Sequence, residues 1–492
     1  MRRASQQAAA SWATLRAPVR DDALLDVFFR FFFFALEEDV VVEALSSPSA
    51  SALASSEVSS PDVSSLALPG PPTAAHTSPA SGTMHMPPRA TIQPIFGRDP
   101  VSDTARDHSS YRRGVLPGDE PQDVRDQFAL DPSLAFLNHG SFGACPRAVL
   151  ARQLELRARM EHNPMQFFVR DLEGLLDEAR SAVAPWMGGA PEDLVFVPNA
   201  TTAVNAIVRS LDLAPGDELL TTDHAYAACK NALAFVADRA GARVVVAAVP
   251  FPLRDPADVT EAVLRAVTPR TQLALIDHVT SPTGLVFPVA DIVAGLAARG
   301  VDTLIDGAHA VGMVPVDVER LGAAYYATNL HKWLAAPKGT AVLHVRRDRQ
   351  DVVRPTSISH GHTSRRTDRS RYLVEFDWTG TVDPTGPLCV PAAIEALEAV
   401  WPGGIAALRD RNRALALRMR DALCAHLDVP APAPDAMIGA LAAVPVPDGE
   451  GGGQSALDRD PLQEALARRK IEVPVVPWPR PPHRILRVSA QA

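Results

Sequence analysis

The chain has 492 residues, enough for more than one domain, and its 47% apolar and 21% charged residues are typical of a globular protein. The net charge of −9 argues against a general nucleic-acid surface, so no nucleic-acid partner is expected. The 4 cysteines are far apart and form no CxxC pair, which indicates neither a metal site nor a disulfide framework and favours a reducing cytoplasm.

The first 120 residues form an extension for which we predict little order. Its most apolar stretch, 24–36, is interrupted by Asp26 and Arg30 and is shorter than the ~18 residues of a membrane helix, so no membrane segment is expected. Residues 45–90 are rich in Ser, Ala and Pro and bury too little apolar surface to offset the entropy of ordering them. We predict that 1–90 are disordered and 91–120 poorly ordered. The first 20 residues are basic and resemble a transit peptide in composition, but we prefer to interpret them as part of an unconserved or mis-started extension.

From Val124 onward, short apolar runs alternate with amphipathic stretches. This alternation is typical of βαβ units, and it predicts an α/β fold with a mostly parallel seven-stranded sheet covered by helices on both faces. The predicted strands are 194–197, 218–221, 243–247, 273–277, 302–305, 325–327 and 341–344. The predicted helices between them include 202–211, 227–240, 256–267 and 289–298.

The pattern changes after Pro391. One long helix over 392–427 is followed by a Pro- and Gly-rich break over 429–453, a helix over 461–469 and short strands. These elements predict a smaller α+β domain at the C-terminal end. We therefore divide the chain into an extension (1–120), a segment that joins the small domain (121–156), a large cofactor-binding domain (157–385) and a small domain (386–492).

Four polar groups follow predicted strands, where open α/β sheets bind their ligands. They are Asp306, Lys332, the Thr201-Thr202 pair that opens a helix, and His224. Singly, each is more typical of a helix cap, a turn or a surface residue. Together they suit one aldehyde cofactor, which needs a lysine for a Schiff base, a carboxylate for its pyridine nitrogen and a helix N-terminus for its phosphate.

Several motifs in this order resemble the class V aminotransferase family of fold-type I enzymes, which use pyridoxal 5′-phosphate (PLP). They are NATTAVN, TDHAYAACKNAL, DHVTSPTGLVFPV, DGAHAVG and TNLHKW. LNHGSFGACP near residue 140 and FDWTGTVDPTG near residue 380 are similar to the isopenicillin N epimerase-like branch. The resemblance covers about three-quarters of the chain, from about residue 120 onward. It implies the PLP-dependent transferase fold.

The resemblance also implies a role for each matching residue. Lys332 is expected to form the Schiff base, Asp306 to pair with the pyridine nitrogen, His309 to bond the ring hydroxyl and His224 to stack on the ring. The expected phosphate ligands are Thr201, Thr202, Asn329, His331 and, from a neighbouring subunit, Thr381. That last contact implies a homodimer with shared active sites.

On the substrate side, Arg487 is expected to bind the α-carboxylate of an amino-acid-type substrate through its planar fork. Asn138, His139, Ser141 and Ser281 are expected to line the same pocket; for Asn138, His139 and Ser141, a tight turn that leads into the small domain is an equal alternative. Freed Lys332 would then remove the α-proton as general base.

The resemblance leaves the reaction open among epimerase, C–S β-lyase and transaminase, with a non-catalytic PLP-fold protein as a further alternative. His139 stands where isopenicillin N epimerases tend to carry Thr, and Asn329 where relatives often carry Ser. The family usually continues into one more helix after the arginine strand, so the small domain is expected to be truncated. A cysteine desulfurase is disfavoured because no cysteine follows Cys424.

Overall fold

A seven-stranded sheet forms the centre of the computed structural model, which describes residues 121–449 and 458–491. The extension 1–120 and its predicted disorder lie outside the described residues. The described strands are β1 (Ala135–Phe136), β2 (Leu194–Val197), β3 (Glu218–Thr222), β4 (Arg243–Ala247), β5 (Thr271–Asp277), β6 (Asp302–Asp306), β7 (Tyr325–Asn329), β8 (Ala341–Val345), β9 (Leu441–Val446), β10 (Ile471–Glu472), β11 (Val475–Pro477) and β12 (Arg484–Ser489).

The large sheet has the strand order β2-β8-β7-β6-β5-β3-β4. β3 to β7 run parallel, while β8 is antiparallel to both of its neighbours, β7 and β2. The α/β fold with a mostly parallel seven-stranded sheet is therefore confirmed. All seven predicted strands occur, and their ends differ from the prediction by at most two residues.

Helices cover both faces of this sheet, and further helices pack against the C-terminal strands. The described helices are α1 (Pro121–Asp126), α2 (Arg147–His162), α3 (Leu172–Met187), α4 (Ala200–Arg209), α5 (Ala227–Ala240), α6 (Pro256–Arg265), α7 (Val289–Ala297), α8 (Val318–Leu321), α9 (Arg371–Asp377), α10 (Thr385–Leu388), α11 (Val390–Val400), α12 (Gly404–Leu427) and α13 (Pro461–Arg468). A short helix, Pro164–Gln166, and a π-helical turn, Phe167–Asp171, lead from α2 into α3. The Asn199 side chain caps α4 by accepting from the Thr202 N–H, and Asp255 caps α6 in the same way.

Alternate residues of the central strands pack into two different apolar cores. Leu304 contributes to the core on one face of β6 and Ile305 to the core on the other, and neither side chain is exposed. A strand that is buried on both faces has a continuous apolar sequence, which is how β6 was predicted.

The C-terminal part differs from the prediction in two places. The single helix predicted over 392–427 is instead α11 and α12, separated by residues 401–403; the φ angles of Gly403 and of Gly404, which begins α12, are +89° and +68°. The break predicted over 429–453 contains β9, the partner of β12 in a three-stranded antiparallel sheet of order β11-β12-β9. The apolar run of β9 is buried throughout, so packing prevails over the flanking Pro and Gly.

The segment before α2 pairs with the C-terminal part of the chain. β1 runs parallel to β10, with Ala135 opposite Ile471. The described residues belong to one compact unit, and the domain boundaries at 156 and 385 stay predictions. No helix in 121–449 or 458–491 is long and apolar enough to cross a membrane.

Candidate active site

Four strands of the large sheet end in polar residues at one edge. Asp277 ends β5, Asp306 ends β6 and Asn329 ends β7, while Thr222 ends β3. Because these strands are parallel, their carboxyl ends meet, and Asp277 lies directly opposite Asp306 in the register. This edge is where an open α/β sheet binds its ligand.

Lys332 follows β7 and lies against His309. The Lys332 Nζ to His309 Nε2 distance is 3.1 Å, and the Trp333 Nε1–H donates to His309 Nδ1 at 3.3 Å. Indole is only a donor, so Nδ1 of His309 must accept and its proton lies on Nε2. The Lys332 nitrogen then accepts, which requires a neutral amine.

Burial and the charge of Arg487 favour the same neutral amine. They lower the pKa of Lys332 to about 8, while the nearby Asp306 carboxylate acts in the opposite direction. Burial, with Lys332 and Arg487, also lowers the pKa of His309 well below its usual range. An uncharged lysine amine is a nucleophile, as condensation with an aldehyde requires.

Asp306 is 3% exposed, and its two carboxyl oxygens accept different hydrogen bonds. Oδ1 accepts from the Ala308 N–H at 3.0 Å, and Oδ2 accepts from the Cys229 thiol at 3.2 Å. Burial raises the pKa of Asp306, and these two hydrogen bonds and Lys332 partly offset that rise. A buried acid held in this way is suited to a cationic partner such as a protonated ring nitrogen.

Three of the predicted phosphate residues, Thr201, Thr202 and Asn329, meet at the start of α4. The Ala200 N–H donates to Asn329 Oδ1 at 2.8 Å, which ties the end of β7 to this helix. Thr201 and Thr202 in the first turn are partly exposed, and the Thr202 N–H donates to Asn199. The helix start carries positive partial charge, so this corner is suited to an anion.

His331 lies on the same loop as Lys332. Its Nδ1 is 2.8 Å from the Thr340 carbonyl oxygen, which holds the ring close to the end of β7. Burial lowers the pKa of His331, so the ring is neutral near pH 7. A phosphate role for His331 stays a prediction.

His224 lies in an aromatic enclosure and is fully buried. Its ring centroid is 4.5 Å from that of Trp478, and the rings of Phe251 and Phe287 also lie against it. Nδ1 bonds Thr283 at 2.7 Å, while Nε2 lies 3.2 Å from the Val249 carbonyl. The stacking role of His224 stays a prediction.

Tyr226, which was not predicted as a site residue, lies two residues further on and is 44% exposed. Burial, Cys229 and the Asp306 charge raise the pKa of its phenol, whereas Arg487 lowers it. The phenol is therefore within electrostatic range of both site charges. A signal was present in the sequence, since Tyr226 immediately precedes the helix that follows β3.

Arg487 is a buried cation whose described hydrogen bonds all go to neutral groups. Its guanidinium is 5% exposed and donates to the Ser281 carbonyl, to Ser141 Oγ at 3.1 Å and to Asn138 Oδ1 at 3.5 Å. Nε has no partner, and burial lowers the pKa of the guanidinium to about 10. Such a cation is costly unless an anion arrives to pair with it.

His139 and Thr381 have no contact that shows their predicted roles. His139 is buried, and its ring centroid is 5.3 Å from that of Trp333, the residue after Lys332. Thr381 is exposed, and no hydrogen bond between described residues joins it to the predicted phosphate residues of its own chain. The predicted roles of both residues stay predictions.

Comparisons with known proteins identify the family of the chain. The family model described as "Aminotransferase class-V" matches residues 143–434. Isopenicillin N epimerase from Amycolatopsis lactamdurans is 37% identical over 381 residues, which cover 74% of this chain and 92% of that protein. An L-cysteine desulfhydrase from Arabidopsis thaliana is 30% identical over 315 residues, 60% of this chain and 68% of that protein.

The fold also matches solved structures. A mutant of C-DES with glycine covalently linked to its PLP cofactor superposes with a TM-score of 0.61 at 22% identity, over 75% of this chain and 94% of that one. The cysteine desulfurase CsdA from Escherichia coli gives a TM-score of 0.60, also at 22% identity, over 76% of this chain and 94% of that one. At this level of identity the similarity establishes the fold alone.

Proposed function

Since the chain belongs to the class V aminotransferase family of PLP-dependent enzymes, we propose that it acts at the α-carbon of an amino-acid-type substrate as an isopenicillin N epimerase-like enzyme. The observation that carries this proposal is the presence in one site of Lys332, whose pKa burial lowers to about 8, and of Arg487, a buried cation that has only neutral partners among the described residues. The lysine suits proton transfer, and the arginine suits an α-carboxylate.

The residues present fit PLP. Lys332 would hold its aldehyde carbon, Asp306 its pyridine nitrogen, and the start of α4 its phosphate. His309 would bond the ring hydroxyl through Nε2, the nitrogen that now faces Lys332. When bound, PLP supplies an electron sink that acidifies the substrate α-C–H bond.

The chain supplies two groups that can carry protons at this pocket. Lys332 Nζ is the general base for the α-proton. The Tyr226 hydroxyl is the second group, because it is half-exposed and lies within electrostatic range of Asp306 and Arg487. Epimerisation needs a second proton carrier to return a proton to the opposite face, and we propose Tyr226 for this step.

C–S β-lyase activity is the second candidate. It is supported by the 30% identity to an L-cysteine desulfhydrase. In a lyase, Tyr226 would protonate the departing sulfur. A desulfurase instead needs an accessible cysteine to accept sulfur, and all 4 cysteines of this chain are buried, free thiols. A cytoplasmic location stays a prediction from cysteine usage.

Deuterium exchange tests the removal of the α-proton, the step that the epimerase and lyase reactions share. The PLP-loaded protein is incubated in D2O with a panel of L-amino acids and isopenicillin N, and mass spectrometry reports deuterium at the α-carbon. We expect exchange for at least one compound, with D-isomer formation for an epimerase and pyruvate plus sulfide from cysteine for a lyase. A loaded protein that exchanges none of the panel, including cysteine, would contradict the proposal.

We also propose a homodimer. Several large apolar side chains are more than 60% exposed along α2, the following turn and the loop before α10: Leu154, Met165, Val169 and Val382. These elements contact one another, since Arg157 of α2 pairs with Asp383 at 2.8 Å and the ring of Phe168 lies 6.0 Å from that of Trp378. An apolar surface of this kind is typical of an interface, and Thr381 lies within it.

Charge placed on this surface is expected to separate the subunits. Met165→Asp combined with Val169→Asp should convert the dimer to a monomer in mass photometry, because burial of two carboxylates in an apolar contact is costly. Val246→Asp, an exposed apolar position on edge strand β4, is the matched control and should stay dimeric. A wild-type monomer with full PLP occupancy would refute the shared site.

A further inference from the structure

A second buried carboxylate lies beside Asp306. Asp277 ends β5 as Asp306 ends β6, and the two residues are register partners on neighbouring parallel strands. Side chains at partner positions of adjacent strands point to the same face of a sheet. Asp277 is 2% exposed, and its Oδ2 has no hydrogen-bond partner.

Two carboxylates this close in a buried site do not both ionise. Burial and the charge of Asp306 raise the pKa of Asp277 well above its usual range, and the Tyr226 backbone N–H and Lys230 only partly offset this. Asp306 is the better hydrogen-bonded of the two, because the Ala308 N–H and the Cys229 thiol donate to its two oxygens, whereas Asp277 Oδ2 accepts from no donor. The proton of the pair therefore belongs on Asp277.

The other groups around the pair do not change this assignment. Burial, Asp306 and Asp277 raise the pKa of the Cys229 thiol well above its usual range, so it stays a neutral donor. Both carboxylates oppose the fall of the Lys332 pKa to about 8, and Lys230 donates to the Asp223 carbonyl at 3.1 Å. The pair of carboxylates itself therefore carries one negative charge.

We propose that Asp277 is a positioning residue that stays protonated on Oδ2 and so keeps the pair at one negative charge, which leaves Asp306 as the single carboxylate for the cofactor ring nitrogen. The inference rests on the proposed function, because it assumes that PLP binds against Asp306. A pyridinium carries one positive charge, and a pair with one negative charge balances it. A second buried negative charge would leave the site unbalanced.

The first test uses the cofactor-free protein and infrared spectroscopy. The wild type should show the carbonyl band of a protonated carboxylic acid at neutral pH, and Asp277→Asn should lose that band. Asp223→Asn is the matched control and should leave the band unchanged. Asp223 directly follows β3, and its carboxylate accepts from the Val249 N–H at 3.0 Å. A wild type without the band, or a band that persists in Asp277→Asn, would overturn the proposal.

The second test uses the PLP-loaded protein and the pH dependence of its visible spectrum. Asn is neutral and has the shape of a protonated Asp, so Asp277→Asn should keep the wild-type midpoint pH of the change in the visible spectrum. Asp306→Asn removes the charge itself and should shift it by about one pH unit or more. A shift of that size in Asp277→Asn would mean that Asp277 is ionised.

Asp277→Thr supplies a second neutral side chain should the asparagine variant fold poorly, and the same two outcomes are expected. The two proposals can fail separately. Loss of the infrared result would refute the protonated pair while PLP still binds at Lys332, whereas unchanged cofactor absorbance in Lys332→Ala would refute the cofactor site and leave the infrared result intact.

Discussion

Lys332→Ala is expected to abolish the visible absorbance of the PLP-loaded protein and to lower the rate of α-deuterium exchange by ~10³-fold or more. The amine is the group that holds the aldehyde carbon of the cofactor and also the base that takes the α-proton, so one substitution removes both functions. Absorbance after dialysis and the exchange assay give the two readouts.

Lys230→Ala is the matched control, since Lys230 lies near the same sheet edge and donates to the Asp223 carbonyl. It should keep both the absorbance and the exchange. If Lys332→Ala kept its absorbance after dialysis, a different lysine would hold the cofactor, and the site at the end of β7 would be wrong.

The same amine has a testable pH dependence. Burial lowers the pKa of Lys332 to about 8, so the protonated, unreactive form dominates below that pH. The rate at which PLP reacts with the cofactor-free protein should therefore rise as pH increases through about 8 and level off above it. A rate that rises only near the ordinary lysine pKa would mean that the amine is solvated.

Much of this site could be predicted because the end of a parallel strand can be recognised in the sequence. An apolar run that ends in a polar residue places that residue at the ligand-binding edge, as Asp306 and Asn329 illustrate. Asp277 carries the same signal at the end of β5. It was missed because its meaning depends on the register with β6, and a sequence does not contain the register.

The environments of His224 and Tyr226 could not be predicted from the local sequence. Both follow β3, yet His224 is buried against rings that are distant in the sequence, while Tyr226 stays 44% exposed at the start of α5. The break between α11 and α12 is different in kind. The sequence Pro402-Gly403-Gly404 is a helix-breaking signal that the long amphipathic pattern concealed.

Arg487→Met is expected to lower kcat/KM for an amino-acid substrate by ~10²- to 10³-fold, mostly through a higher KM. The guanidinium is buried, and no acidic side chain is among its hydrogen-bond partners in the described residues. A substrate carboxylate would therefore gain a charge-assisted bidentate contact worth about 3–4 kcal/mol. Steady-state kinetics with a substrate found by deuterium exchange provides the measurement.

Matched variants separate this role from a structural one. Arg487→Lys keeps the charge without the planar fork and should recover only part of the loss. Arg480→Met removes an exposed arginine from the same part of the chain and should leave kcat/KM unchanged. Loss of Arg487 also removes a positive charge that lowers the pKa of Lys332. The midpoint pH of the rate at which PLP reacts with the cofactor-free protein should therefore move above 8. An unchanged KM with an unmoved midpoint would place Arg487 outside the substrate pocket.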